Sequence, residues 1–249
     1  MTFETGSQRS RKLVKRMKIA GFKLYHAPAS RSVRVKWALH EVVGDAFEVE
    51  KIPLYEAAQY SAEFIGLNPN HCVPVLEIRW DDGQSQVMIE SAAMVAFLAD
   101  AYPERGLAPP PGASRERADY LQMIQFGSTS MDMMLSQVRI HEHMLPQSER
   151  DPRMAARYRK KFLEEVEPQL ARRLEATPYV CGDTFTAADC IIGYNVFWAR
   201  GYGLCQDEAF RRYLKSLRMR PALAAALADA REFSPVVPDG APIMSKFTG

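Results

Sequence analysis

Glu90-Ser91 combines residue types that suit the binding of an amino-acid head group. The pair stands where a helical pattern begins, and the free N–H groups and partial positive charge of a helix N-terminus favour a carboxylate. Ser91 would add a hydroxyl donor, and Glu90 could accept a hydrogen bond from an amine. An ordinary serine N-cap is the alternative interpretation of this pair.

Val73-Pro74 lies at the start of an apolar run that predicts a strand. A proline here cannot donate a ladder hydrogen bond, and a cis peptide bond would turn the preceding backbone groups outward, where an extended peptide could pair with them. A trans proline at a sheet edge is the alternative. Together with Glu90-Ser91, the motif suits a site that holds the α-amino and α-carboxylate groups of a γ-glutamyl peptide.

Ser30-Arg31-Ser32 lies at the first predicted strand-to-helix junction. A thiol placed there would lie near a helix N-terminus, where the thiolate is favoured, and a serine hydroxyl that donates to sulfur would add to this effect. Lowering the pKa of a thiol by two units corresponds to about 2.7 kcal/mol, which the two effects can supply together. N-capping is the alternative role for Ser30 or Ser32.

The elements that must position these motifs change character along the chain. The first part predicts the order β-α-β-α-β-β-α, with strands over 22–25, 47–52, 75–80 and 86–89 and helices over 32–43, 57–65 and 92–102. Because this order is too short for two nucleotide-binding halves, it indicates one small mixed sheet flanked by helices. We expect this domain over residues 20–104 and a proline-rich linker over 105–113.

The second part, 114–240, predicts an all-helical domain. Its apolar patterns predict helices over 115–135, 153–174, 209–217 and 222–233, together with a central helix from 186 that is apolar on every face. Pro168 lies within one of these patterns, so we expect a kink or an irregular turn there.

Composition excludes several classes of protein. No apolar run reaches the ~18 residues of a membrane helix, and the four cysteines form neither a CxxC pair nor a metal-ligand pattern. We therefore expect reduced thiols, no metal site and a cytoplasmic location. Residues 1–18 carry a net charge of +5, which we interpret as a disordered basic extension over 1–19, and the slightly acidic remainder gives no reason to expect nucleic-acid binding.

Taken together, the motifs resemble the glutathione-binding domain of cytosolic glutathione transferases. The similarity rests on Ser30-Arg31-Ser32-Val33-Arg34, on Asn68-Pro69 followed by Val73-Pro74, and on Glu90-Ser91. In the second part, residues 182–189 resemble the capping segment of that family, in which Thr186 and Asp189 form a capping box. The resemblance implies a thioredoxin-like α/β domain followed by a helical bundle.

The resemblance also implies roles for individual residues. Val73 would pair with the cysteinyl backbone of glutathione beside a cis Pro74, and Glu90 and Ser91 would hold its γ-glutamyl end. His71 and Cys72 precede Val73 and would lie beside the same peptide. The thiol-activating residue is open: Ser30 matches the position of the serine-type classes, and Arg31 matches that of the beta-like cysteine. Ser32 and Tyr25 are lesser candidates.

The implied function is conjugation of the glutathione thiolate to an apolar electrophilic small molecule, by a homodimer. A glutathione-dependent isomerase of the maleylacetoacetate type, or a dehalogenase, is the alternative among enzymes. A non-catalytic glutathione-binding or dimerisation module is the alternative outside enzymes.

Overall fold

The computed structural model describes residues 17–246. The predicted basic extension therefore lies outside the described residues, except for its last three positions. Of these, Ile19 already belongs to the first strand.

A mixed four-stranded sheet forms the first part of the fold. The strands are β1 (Ile19–His26), β2 (Glu48–Lys51), β3 (Val75–Trp80) and β4 (Ser85–Met88), in the spatial order β2-β1-β3-β4. The β1–β2 pair is parallel because a helix crosses between the strands, whereas β1–β3 and β3–β4 are antiparallel. The β-α-β-α-β-β-α order predicted from the sequence is confirmed.

Three helices cover this sheet: α1 (Val33–Val43), α2 (Ala62–Leu67) and α3 (Ser91–Ala101). The helix predicted over 57–65 begins later, because Ser61 caps α2 by accepting a hydrogen bond from the Phe64 N–H at 3.2 Å. Tight 3-10 turns occupy the chain before it.

Successive side chains of β1 point to opposite faces of the sheet and therefore belong to two separate cores. Phe22 and Leu24 belong to the main core, which the sheet shares with α1, α3 and the second part of the chain. Tyr25 faces the other way and packs with Phe64 and Val75 in a smaller core under α2.

Seven α-helices follow the sheet within the described residues. They are α4 (Arg115–Phe126), α5 (Asp132–Arg139), α6 (Pro152–Lys161), α7 (Glu167–Ala176), α8 (Ala187–Gly201), α9 (Glu208–Arg218) and α10 (Pro221–Ala226). Wide π-type turns join α4 to α5 and α6 to α7, and Pro168 lies in the first turn of α7, so the predicted irregularity is confirmed. The last predicted helix is shorter than expected, since α10 ends at Ala226 and gives way to a 3-10 turn at 230–232.

The central helix α8 begins with the predicted capping box of Thr186 and Asp189. The Asp189 carboxylate is fully buried and accepts hydrogen bonds from the N–H groups of Thr186 and Val180 and from the Tyr213 hydroxyl, at 2.8–3.0 Å. This helix therefore starts at a fixed point in the middle of the bundle. Across the described chain, every helix is too short or too polar to cross a membrane.

Candidate active site

A cavity of about 280 Å³ lies between the sheet and the helical bundle. Five of the nine residues predicted from the sequence line it: Ser30, Arg31, His71, Cys72 and Val73. The first two come from the turn between β1 and α1, and the other three precede β3. The fold thus brings together two motifs that are 40 residues apart in the sequence.

The other four predicted residues, Ser32, Pro74, Glu90 and Ser91, do not line this cavity. The Val73–Pro74 peptide bond is cis. Because Leu76 pairs with Met88 in the antiparallel β3–β4 ladder, continuing the register by two residues places Pro74 opposite Glu90. The proline motif and the start of α3 therefore lie side by side.

The start of α3 differs in detail from an ordinary serine cap. Glu90 occupies the N-cap position with φ of 74°, a left-handed conformation uncommon for a residue with a side chain, and it is exposed. Ser91 is buried, and its hydroxyl accepts a hydrogen bond from Arg34 Nη1 at 3.4 Å.

Arg34 is fully buried where the two parts of the fold meet. Its guanidinium donates to both oxygens of Asp132, one of them at 2.8 Å from Nη1, and also to Asn195 Oδ1. Its Cζ atom lies 4.8 Å from the ring centroid of Tyr194. This buried charge is therefore compensated by a bidentate carboxylate and links α1 to α5 and α8.

A chain of hydrogen bonds runs inward from Ser30. Its hydroxyl oxygen lies 2.7 Å from that of Ser32, which in turn lies 2.7 Å from Nδ1 of His26. Ser30 is 8 % exposed at the cavity wall, whereas Ser32 and His26 are fully buried behind it. Ser30 is thus the serine of the motif that faces the cavity.

His26 connects this chain to the far end of the fold. Its Nε2 lies 3.2 Å from Asp229 Oδ2, which also accepts a hydrogen bond from Lys36 Nζ at 2.8 Å. Burial, reinforced by the Lys36 charge, lowers the pKa of His26 to about 4, so the ring is neutral at neutral pH. The neighbouring carboxylate favours the proton on Nε2, which leaves Nδ1 to accept a hydrogen bond from Ser32.

Arg31 and Cys72 supply the exposed polar edge of the cavity. Arg31 is about half exposed, and its Nη1 lies 3.6 Å from Asp132 Oδ2. Burial raises the pKa of the Cys72 thiol, and Arg31 opposes that shift by its positive charge. Cys72 is therefore mainly a protonated thiol at neutral pH, whereas Arg31 offers a positive charge to any anion bound beside it.

A second cavity of about 430 Å³ adjoins the first. Three residues line both cavities: Arg139, Tyr194 and Trp198. The remaining walls of the second cavity are mostly apolar and aromatic, with contributions from Trp37, Phe197, Tyr202 and Phe233. The two cavities therefore meet at a shared wall, close to the turn that carries Ser30.

Tyr194 fixes that shared wall. Its hydroxyl donates to the carbonyl oxygen of Ala29 at 2.9 Å, next to Ser30. Burial raises the pKa of Tyr194 to about 12, so the phenol stays neutral.

Comparison with protein-family models shows the family to which the chain belongs. Residues 30–101 match the N-terminal domain of glutathione S-transferases, and residues 154–230 match the C-terminal domain of the same proteins. The chain belongs to the glutathione S-transferase family. Its sheet with flanking helices is the thioredoxin-like domain of that fold, and its second part is the all-helical domain, as the sequence predicted.

Individual members of the family are distant relatives. Glutathione S-transferase D7 from Anopheles gambiae is 33% identical over 79 residues, which cover 32% of this chain and 34% of that protein. GstA from Escherichia coli is 24% identical over 211 residues, covering 83% of this chain and 97% of that protein. A glutathione transferase from Pseudomonas putida, crystallised with glutathione disulfide, is 25% identical with a TM-score of 0.72 and covers 83% of this chain and 90% of that one.

The residues that sequence reasoning missed in this glutathione S-transferase are mostly buried polar groups. His26, Asp132 and Asp229 carry no local signal, because their partners lie far away in the sequence. Tyr194 was visible only as part of an apolar helix, although its hydroxyl and ring both contact the site.

Proposed function

We propose that this protein is a glutathione transferase that joins the glutathione thiolate to an apolar electrophilic small molecule. One observation carries the proposal: a cavity with Ser30 and Arg31 in its wall shares Arg139, Tyr194 and Trp198 with a larger aromatic cavity. A nucleophile held in the first cavity can therefore meet an electrophile held in the second. The glutathione disulfide bound by the Pseudomonas putida relative supports glutathione as the cosubstrate.

In this proposal the peptide lies along the edge of the sheet. The backbone of Val73 pairs with the cysteinyl residue, while Glu90 and Ser91 at the N-terminus of α3 hold the γ-glutamyl end. Pro74 shapes this edge, and His71 and Cys72 lie beside the peptide, as expected from their place in the cavity wall.

The sulfur then lies near Ser30, whose single hydroxyl proton turns from the Ala27 carbonyl oxygen and Ser32 to the thiolate. Ser32 is buried behind Ser30 and does not face the cavity. Because the two hydroxyl oxygens lie 2.7 Å apart, Ser32 positions Ser30. Arg31 adds a positive charge at the same edge. Together with the N-terminus of α1, these groups favour the thiolate over the thiol.

The test is calorimetric titration of glutathione into the wild type, Ser30→Ala and Ser91→Ala, followed by turnover of an aromatic electrophile. We expect micromolar to millimolar binding that is lost in Ser91→Ala and kept in Ser30→Ala. Ser30→Ala should lower turnover at least tenfold, because it removes a donor that acts on the thiolate. Ser216→Ala, which changes a serine on α9 that lines neither cavity, is the matched control.

Absence of glutathione binding by the wild type would refute the proposal. Binding without turnover of any electrophile would favour a non-catalytic glutathione-binding module. Unchanged turnover in Ser30→Ala would remove Ser30 from the mechanism.

A further inference from the structure

The aromatic cavity contains one side chain that is positively charged at neutral pH. Arg139 and His143 are the two lining residues with basic nitrogens. His143 stacks on Tyr202 with ring centroids 5.8 Å apart, and burial lowers the pKa of His143, so its ring is neutral at neutral pH. Arg139 supplies the charge, as a planar guanidinium with five N–H donors.

That charge has no counter-ion within the protein. Among residues 17–246, no carboxylate oxygen lies within 4 Å of the Arg139 guanidinium. Four other arginines near the cavities are paired with carboxylates: Arg31 and Arg34 with Asp132, Arg159 with Glu142, and Arg220 with Glu41. Arg139 differs from them in facing only neutral groups.

The surroundings of Arg139 are aromatic. Its Cζ atom lies 5.4 Å from the ring centroid of Phe233, and it shares the wall between the cavities with Tyr194 and Trp198. A cation in such a place has given up part of its hydration, and it receives in return a cation–π contact and a hydrogen-bond contact with the neutral Tyr55 hydroxyl. A bound anion would offset that loss.

The position of Arg139 also restricts where such an anion would lie. Because Arg139 lines both cavities, it lies at the boundary between the cavity that contains Ser30 and the aromatic cavity. The larger cavity has a volume of about 430 Å³, within the range of about 300–1,000 Å³ usual for small-molecule sites. The rings would hold a flat apolar body while the guanidinium holds a charged group near the reacting carbon.

We propose that the second substrate is an aromatic electrophile that carries a carboxylate, and that Arg139 binds this carboxylate. The inference rests on the proposed transferase function and gives its substrate class. When such a substrate is an aryl halide, the thiolate sulfur forms a bond to the ring carbon that carries the halogen. The carbon–halogen bond breaks, and the halide leaves with the bonding electron pair. Arg139 takes no proton in this step and acts by a bidentate hydrogen bond to the carboxylate.

The test compares two electrophiles of the same size and leaving group, 4-chloro-3-nitrobenzoate and 4-chloro-3-nitrobenzamide. Each kcat/KM with glutathione is divided by the uncatalysed rate constant of the same compound, which removes the difference in intrinsic reactivity. The wild type should prefer the benzoate at least tenfold. Arg139→Met should lower kcat/KM for the benzoate about 10- to 100-fold, change that for the benzamide less than threefold, and leave the KM for glutathione within twofold.

Two further variants sharpen the comparison. Arg139→Lys keeps the charge without the planar fork and should retain part of the preference for the benzoate. Arg218→Met is the matched control, because Arg218 also lies 5.4 Å from an aromatic ring, that of Phe197, but is exposed and outside the cavity wall. It should leave the preference unchanged.

A second readout is independent of turnover: calorimetric binding of 3-nitrobenzoate and 3-nitrobenzamide to the glutathione-loaded protein. If neither chloro compound is turned over, tighter binding of 3-nitrobenzoate that Arg139→Met abolishes would still support the anion site, whatever the outcome for the transferase proposal. Turnover or binding of both members of a pair without preference would overturn the inference. Equal losses on both compounds in Arg139→Met, or a raised KM for glutathione alone, would overturn it as well.

Discussion

The buried pair of Arg34 and Asp132 gives the sharpest prediction about stability. Arg34 is fully buried, and Asp132 receives two hydrogen bonds from its guanidinium. Asp132→Ala would leave this guanidinium with the neutral acceptors of Ser91 and Asn195 only. Because an uncompensated buried charge costs about 3–5 kcal/mol, we expect the free energy of unfolding to fall by that amount, out of a typical total of about 5–15 kcal/mol.

The reverse substitution should cost less. In Arg34→Met the Asp132 carboxylate keeps the half-exposed Arg31, 3.6 Å away, as a partial counter-ion. We therefore expect a loss of about 2–3 kcal/mol, which is smaller than that of Asp132→Ala. The double variant Arg34→Met/Asp132→Leu removes both charges and fills the space with apolar atoms, so it should recover to within about 1–2 kcal/mol of the wild type.

The assay is urea unfolding followed by tryptophan fluorescence, at one protein concentration for all variants because association would otherwise shift the apparent stability. Asp100→Ala is the control, since Asp100 accepts two hydrogen bonds of 2.9 Å from Arg117 but is about 39% exposed. It should cost less than about 1 kcal/mol. A loss below 1 kcal/mol in Asp132→Ala, or a double variant as unstable as the two single losses added together, would refute the reasoning.

Three further predictions concern single side chains. Burial raises the pKa of Asp189 to about 6 from 3.8, so between these values the folded protein holds a proton that the unfolded chain releases. The free energy of unfolding should therefore fall by about 3 kcal/mol as the pH rises from about 4 to 6.5, and equal pH slopes for the wild type and Asp189→Asn in urea unfolding would contradict this. Gly193→Ala would place its Cβ 2.5 Å from Leu217 Cδ1, so thermal unfolding should show a net loss of about 1 kcal/mol, whereas Gly201→Ala in the same helix meets no atom within 4 Å and should be neutral or stabilising. A thiol reagent should label the folded protein mainly at Cys72, which is exposed, and at about pH 7.5 more slowly than free cysteine, because partial burial of its sulfur raises the pKa of the thiol. Rapid labelling that persists in Cys72→Ser would show that Cys72 is not the main accessible thiol.

Features set by neighbours in the sequence were predictable. The capping box of Thr186 and Asp189 follows from two residues three positions apart, and the structure confirms it. The irregularity at Pro168 follows from the proline ring, which cannot continue a helix undisturbed. The order of strands and helices, and with it the fold class, could be obtained in the same way.

Features set by distant contacts were beyond sequence reasoning. Arg34 belongs to a recognisable motif, but its acceptors on Asp132 and Asn195 lie 98 and 161 residues further along the chain. Resemblance to the serine-type classes placed Ser30 ahead of Ser32, but which of them faces the cavity depends on the burial of Ser32 against His26. Neither hydrophobic periodicity nor a local motif indicates which polar residue will be buried by a helix that is distant in the sequence.

The contact between His26 and Asp229 has a consequence for how the protein is made. The turn that carries Ser30 is held from behind by a residue near the other end of the described chain, beyond α10. A nascent chain therefore lacks the support behind that turn until Asp229 has been synthesised. We expect glutathione binding to mature only after Asp229 has left the ribosome exit tunnel and docked, so partly synthesised or C-terminally trimmed molecules would not bind glutathione.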